Sequence, residues 1–155
     1  MQPGDWPAVR AIYEQGLATR QATFETKAPP WEEWDAGHLA EHRLVAEGDG
    51  EVIGWVALSA VSRRDCYAGV TEGSVYVAES CRGQGLGKAL LTELVNRADA
   101  AGIWTIQTSI FPENVASIEL HKRCGFRIVG TRERIAQLDG AWRDTMLLER
   151  RASEE

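Results

Sequence analysis

Residues 79–91 read ESCRGQGLGKALL, with glycines at 83, 85 and 87 between Arg82 and Lys88. An alternating apolar stretch precedes this run and an amphipathic one follows it. A strand, a glycine-rich turn and a helix start make an anion site, because the first amides of a helix have no partner within it and sit at the positive end of its dipole. Glycines let the backbone approach a ligand and allow positive φ. Arg82 and Lys88 add charge on either side. The dinucleotide pattern G-x-G-x-x-G fails, because Lys88 stands at the third glycine. The pattern G-x-x-x-x-G-K-[ST] fails as well, with Arg82 at the first glycine and Ala89 after Lys88. What remains is R-x-x-G-x-G, a phosphate cradle or a bare glycine-rich turn.

Two other groups of residues could do chemistry. Glu72 lies among apolar neighbours in VTEGSVYVA. Burial there would raise its pKa and make it a proton acceptor near neutral pH, although strand glutamates more often face water. HLAEH at 38–42 matches the zinc-protease pattern H-x-x-E-H, and on a helix His38 and His42 would share a face. No third ligand is evident, so zinc hydrolysis is a minor alternative and we expect no metal. The three cysteines, Cys66, Cys81 and Cys124, are odd in number and lack C-x-x-C spacing. Reduced thiols in a cytoplasm fit them best.

The elements that must position these groups can be read from periodicity. Val9, Ile12, Tyr13 and Leu17 predict a helix over 5–17. Pro29 and Pro30 break the chain, and a short helix should begin near Trp31. RLVAEGDGEVIGWVALSAV predicts a hairpin around Gly48-Asp49-Gly50. The strand holding Glu72 runs into the glycine loop, and Leu86, Leu90, Leu94 and Ala98 stripe the helix after it. IWTIQTSIF is a strand, NVASIELHKRC a helix capped by Gly125, and two last strands pair around Asp139-Gly140. This order predicts an α/β or α+β fold around a mixed sheet.

Composition bounds the rest. The chain has 155 residues, 44% hydrophobic and 26% charged, as in one soluble globular domain spanning 1–155. No apolar run approaches the ~20 residues of a membrane span, and we expect neither membrane attachment nor a signal peptide. A net charge of −6 argues against nucleic acid as a partner. A small anionic ligand needs only local positive potential.

The run Arg82-Gly83-Gln84-Gly85-Leu86-Gly87 resembles the pyrophosphate-binding motif of the GNAT superfamily of acyl-CoA N-acyltransferases. NVASIELHKRCGF resembles that family's N-x-x-[SA]-x-x-L-Y-x-x-x-G-F helix, with His121 where tyrosine is common. ATFET, YAGVTEGSVYV and GAWRDTMLLER resemble the branch of phosphinothricin and methionine-sulfoximine acetyltransferases, in which histidine is usual at that position. The resemblance covers nearly the whole chain. It implies a mixed, mostly antiparallel central sheet with helices on both faces, and acetyl-CoA as the acetyl donor. The implied acceptor is the α-amine of a small amino acid or analogue, such as phosphinothricin, methionine sulfoximine or methionine sulfone.

The resemblance also implies roles for individual residues. Glu72 matches the catalytic glutamate, and His121 would protonate the leaving thiolate, orient the amine or simply pack. A backbone N–H near Val77 would donate to the oxyanion. Val75, Tyr76 and Val77 would pair with the pantetheine arm. Arg82, Gly83, Gln84, Gly85, Leu86, Gly87 and Lys88 would hold the pyrophosphate. Asn114 and Ser117 would contact the cofactor, Asn114 also serving as a helix cap. Phe24, Arg64 and Tyr67 would meet the acceptor, with Arg63 a rival to Arg64. Members of the branch are commonly dimers, and we expect a homodimer. A different class, an acetyl-CoA-binding sensor or interaction module without catalysis, is disfavoured by the presence of both Glu72 and His121.

Overall fold

A computed structural model describes residues 1–154. The chain forms α1 (Trp6–Ala18), α2 (Trp31–Gly37), β1 (Arg43–Gly48), β2 (Glu51–Ala60), β3 (Val70–Val77), α3 (Leu86–Ala100), β4 (Thr105–Ile110), α4 (Val115–Arg123), β5 (Arg127–Leu138) and β6 (Ala141–Arg151). The strands make one six-stranded sheet in the order β1-β2-β3-β4-β6-β5. Every neighbouring pair is antiparallel except β3 with β4.

Both hairpins turn where local chemistry predicts. Asp49 and Gly50 in the first, and Asp139 and Gly140 in the second, all take positive φ, which suits the right-handed twist of paired strands. Gly102 (φ +78°) and Gly125 (φ +89°) follow α3 and α4 in the left-handed conformation that ends a helix.

The sheet buries both faces, and β2 shows why. Val56 and Leu58 point to one side, where Leu91, Leu94, Ile106 and Leu148 complete a core beneath α3 and α4. Trp55 and Ala57 point to the other, joining Trp6, Val9, Ile12 and Trp34 beneath α1 and α2. This second core is aromatic: Trp55 stacks on Tyr76 at 4.9 Å and meets Trp34 edge-on at 5.6 Å.

The short helix expected near Trp31 forms as α2, but no helix carries both His38 and His42. α2 stops at Gly37, and His38 is extended (φ −126°). The stop has a tertiary cause. Arg43, at the start of β1, bonds the carbonyls of Asp35 and His38 and the Asp35 carboxylate, satisfying the groups a longer helix would use. His38 stacks on Trp34 instead, with 4.1 Å between ring centroids. Among the described residues no three His, Cys, Asp or Glu side chains gather as a metal site. Among them, too, no helix is long and apolar enough to cross a membrane.

Candidate active site

The site begins where two parallel strands stop pairing. β3 and β4 are joined only at Val70–Thr105, Thr71–Ile106 and Glu72–Gln107. Beyond Glu72 the strands diverge, while β3 stays paired to β2 as far as Val77–Gly54. The Ala78 N–H donates to the Ile53 carbonyl at 2.8 Å. Backbone groups alternate sides along an antiparallel ladder. Val75 and Val77 therefore present their N–H and C=O groups away from β2, into the gap that β4 has left. An extended ligand can add to this free edge as a strand would.

A cavity of about 610 Å³ runs along that edge to the start of α3. Val75, Tyr76, Val77, Arg82, Gly83, Gly85, Leu86, Gly87, Lys88, Asn114 and Ser117 all border it; Gln84 lies in the loop but does not. Gly83 (φ +77°) and Gly85 (φ +80°) are left-handed. Gly85 is the N-cap of α3, and no side chain caps the helix. Its first amides are thus left for a ligand. A Cβ at Gly83 or Gly85 would meet no atom within 4 Å, so the space above them is open. Gly87 has a different reason: a Cβ there would lie 3.2 Å from Leu120 of α4, so it allows close helix packing. Arg123 and Gln21 also line this cavity. Sequence reading missed both, since neither belongs to the loop.

A smaller cavity of about 150 Å³ occupies the gap itself, and Glu72, Ser74, Thr108, Asn114, Ser117 and His121 line it. It shares Val75, Tyr76, Asn114 and Ser117 with the larger one, so the two adjoin. Glu72 is half-buried. Burial pushes its carboxyl above the usual range, and the Arg132 guanidinium partly offsets this. His121 is 4% exposed. Burial lowers its pKa, so the ring is neutral near pH 7. Its Nδ1 lies 2.7 Å from the Ser117 carbonyl oxygen. A carbonyl only accepts, so Nδ1 carries the proton and Nε2 is left as a bare acceptor. The ring has no spare proton to give a thiolate until it has received one.

Asn114 combines both expected roles. It caps α4 through a bond from Ser117 N–H to Oδ1 at 3.3 Å, and it borders both cavities. Its Nδ2 donates to the Gln21 carbonyl at 3.1 Å, holding the α1–α2 connection over the site. Arg143 of β6 strengthens that hold. It donates to the Arg20 carbonyl, Gln21 Oε1 and Glu113 Oε2 at 3.1, 3.1 and 3.2 Å, and lies 3.9 Å above the Phe111 ring. Arg143 stands in GAWRDTMLLER, a stretch quoted above for its resemblance, but sequence reading gave this arginine no role.

None of the three residues expected at the acceptor lines these two cavities. Phe24 packs edge-on against Phe111 at 5.0 Å and borders none of these cavities. Arg64 and Tyr67 are exposed in the β2–β3 connection, the guanidinium 5.5 Å from the ring centroid, and neither reaches the gap. Arg63 is likewise exposed. Among the cysteines, Cys81 borders the larger cavity, Cys124 packs against the α3–α4 core and Cys66 is exposed; all three are free.

Known proteins resemble this chain in sequence and fold. The acetyltransferase (GNAT) family matches residues 6–126. The L-methionine sulfoximine/L-methionine sulfone acetyltransferase of Pseudomonas aeruginosa is 34% identical over 160 residues, covering 94% of this chain and 88% of that protein. The phosphinothricin N-acetyltransferase of Alcaligenes faecalis is 35% identical over 156 residues, covering 94% and 77%. A crystal structure of a phosphinothricin acetyltransferase from Sinorhizobium meliloti in complex with AcCoA superposes with a TM-score of 0.88 at 31% identity, covering 99% of this chain and 86% of that one.

Proposed function

The chain belongs to the acetyltransferase (GNAT) family, and from that premise we propose that it transfers the acetyl group of acetyl-CoA to the α-amine of an amino acid or analogue. Phosphinothricin, methionine sulfoximine and methionine sulfone are the first acceptors to test. The observation that carries this reading is the divergence of β3 from β4 just past Glu72. It brings an uncapped helix start, a strand edge and a half-buried carboxylate to two adjoining cavities.

The donor supplies a thioester whose carbonyl carbon the amine attacks and whose thiolate leaves. The amides at the start of α3, with Arg82, Lys88 and Arg123 nearby, suit its diphosphate. The Val75–Val77 edge suits the amide-bearing pantetheine arm. A Val77 N–H in this gap suits the oxyanion. An α-ammonium group must lose a proton before attack. The Glu72 carboxylate takes it, directly or through water, and its raised pKa makes it a better acceptor than a solvated glutamate. His121 Nε2 is a second acceptor lining the same space, and it orients the amine. No covalent enzyme intermediate is needed, so the cysteines have no step to perform.

We place the whole reaction in a single domain in the cytoplasm, where free thiols persist. The test is thiol release from acetyl-CoA across a panel of amino acids, polyamines and peptides. Turnover confined to α-amino acids supports the reading. Tight acetyl-CoA binding with no turnover on any amine would instead favour a sensor module.

A further inference from the structure

The glycine loop at the head of α3 has few anchors of its own. The turn Glu79–Cys81 that leads into it buries no residue, and no side chain of its N-cap, Ala78, caps it. Around Gly83 and Gly85 the space is open, with no atom within 4 Å of where a Cβ would lie. Glycine backbone in open space has many conformations to choose from. A loop that must be ordered as its ligand arrives weakens binding by the cost of that ordering, and a loop already held in shape does not.

An anchor comes from far away in sequence. Gln15 of α1 accepts the Glu79 N–H through Oε1 at 2.8 Å, across 64 positions. Among the described residues it is the one side chain from another element that hydrogen-bonds residues 79–85. The contact depends on the residue beside it. A Cβ on Gly16 would lie 2.6 Å from the Tyr76 ring, and that ring is fixed by stacking on Trp55 at 4.9 Å. With no side chain at 16, the last turn of α1 settles onto β3, and Gln15 comes within reach of the turn that follows the strand. The same end of α1 borders the larger cavity through Gly16 and Thr19. Gln15 itself does not border it, so its effect on a ligand must pass through Glu79.

We propose that Gln15 is a positioning residue for the acetyl donor: by holding the Glu79 N–H it keeps the Arg82–Lys88 loop in its binding shape beside the Val75–Val77 edge. The proposal rests on that loop being the diphosphate site.

Calorimetric titration of acetyl-CoA into the wild type, Q15A and Q15E tests it, together with thiol-release kinetics and melting curves recorded without donor. Q15A suits an exposed helix position but loses the acceptor. Its Kd and KM for acetyl-CoA should rise about fivefold, the effect of one hydrogen bond. The acceptor KM, kcat and the donor-free melting temperature should change little. Q15E, whose carboxylate accepts the same N–H, should recover most of the affinity. Equal donor affinity in Q15A would overturn the proposal. So would a Q15E no better than Q15A, or a joint loss of melting temperature, kcat and both KM values, which marks a contact that only supports the fold. Q15M, of similar length and with no more than a weak acceptor, takes the place of Q15A should that variant not fold. No heat in the wild type itself would remove the donor reading, and this proposal with it.

Discussion

At the scale of single residues, the proposed reaction requires Glu72 to hold a negative charge where burial resists one. E72Q should lower kcat by about 100-fold or more at neutral pH, within the range ascribed to a general base, and leave acetyl-CoA affinity nearly unchanged. The wild-type kcat/KM should rise with pH as Glu72 ionises, with a midpoint above the ordinary glutamate value. E72Q should keep only the later rise that comes from free amine. The same burial sets the sign of a stability effect. A carboxyl whose pKa is higher folded than unfolded weakens the fold as pH rises through that range. E72Q should therefore melt at a higher temperature than wild type at neutral pH. The difference should vanish below the unfolded carboxyl pKa, about 4.3. His121 has the opposite linkage: its folded pKa is lowered, so its contribution is held above the unfolded value of about 6.5 and lost as pH falls from there through the lower folded value. On residue type alone Glu72 was only one strand glutamate among others, and family resemblance singled it out. His121 was legible as a residue of interest, but its tautomer depends on the Ser117 carbonyl one turn back on α4 and needed the structure.

At the scale of elements, the glycine loop and both hairpin turns could be read directly, because their chemistry is local: Gly83, Gly85, Gly50 and Gly140 sit where positive φ is required. What escaped sequence reading is set by distant partners. The end of α2 at Gly37 is fixed by Arg43 of β1. The divergence of β3 from β4 has no signature in either strand. The hold on the α1–α2 connection spans 123 positions, from Arg143 to the Arg20 carbonyl. That hold leads to a test of its own. R143A removes the bonds to Arg20 and Gln21, so the segment over both cavities should loosen. KM for donor and acceptor should each rise several-fold, with kcat less affected and protease cleavage near Gln21 faster. R143K should recover part of the loss, since it keeps one charged donor but not the planar fork. Unchanged KM values and cleavage rates would show that the connection holds itself in place.

At the scale of the whole molecule, one sheet supports two cores on opposite faces, and the site opens beside β3, which gives Val75 to one core and Tyr76 to the other. We therefore propose a single folding unit, in which tryptophan fluorescence and far-ultraviolet circular dichroism should report one coincident unfolding transition. Two separated transitions would divide the aromatic core from the α3–α4 core. The β5–β6 hairpin leaves Ile128, Val129, Ile135 and Trp142 exposed. A second copy of the chain is the partner we propose for that surface, and light scattering should give the mass of a dimer that W142E reduces to a monomer. Both proposals leave the central claim untouched: main-chain amides at the start of α3, reached through left-handed glycines, hold the donor's diphosphate, and the Val75–Val77 edge leads its thioester end toward Glu72. Calorimetric titration of acetyl-CoA into the wild-type protein and into G85V tests it most directly. The account predicts saturable heat with micromolar affinity in the wild type, weakened about tenfold or more in G85V, where φ of +80° strains a β-branched side chain. No heat in the wild type at millimolar acetyl-CoA, or equal affinity in a folded G85V, would contradict it.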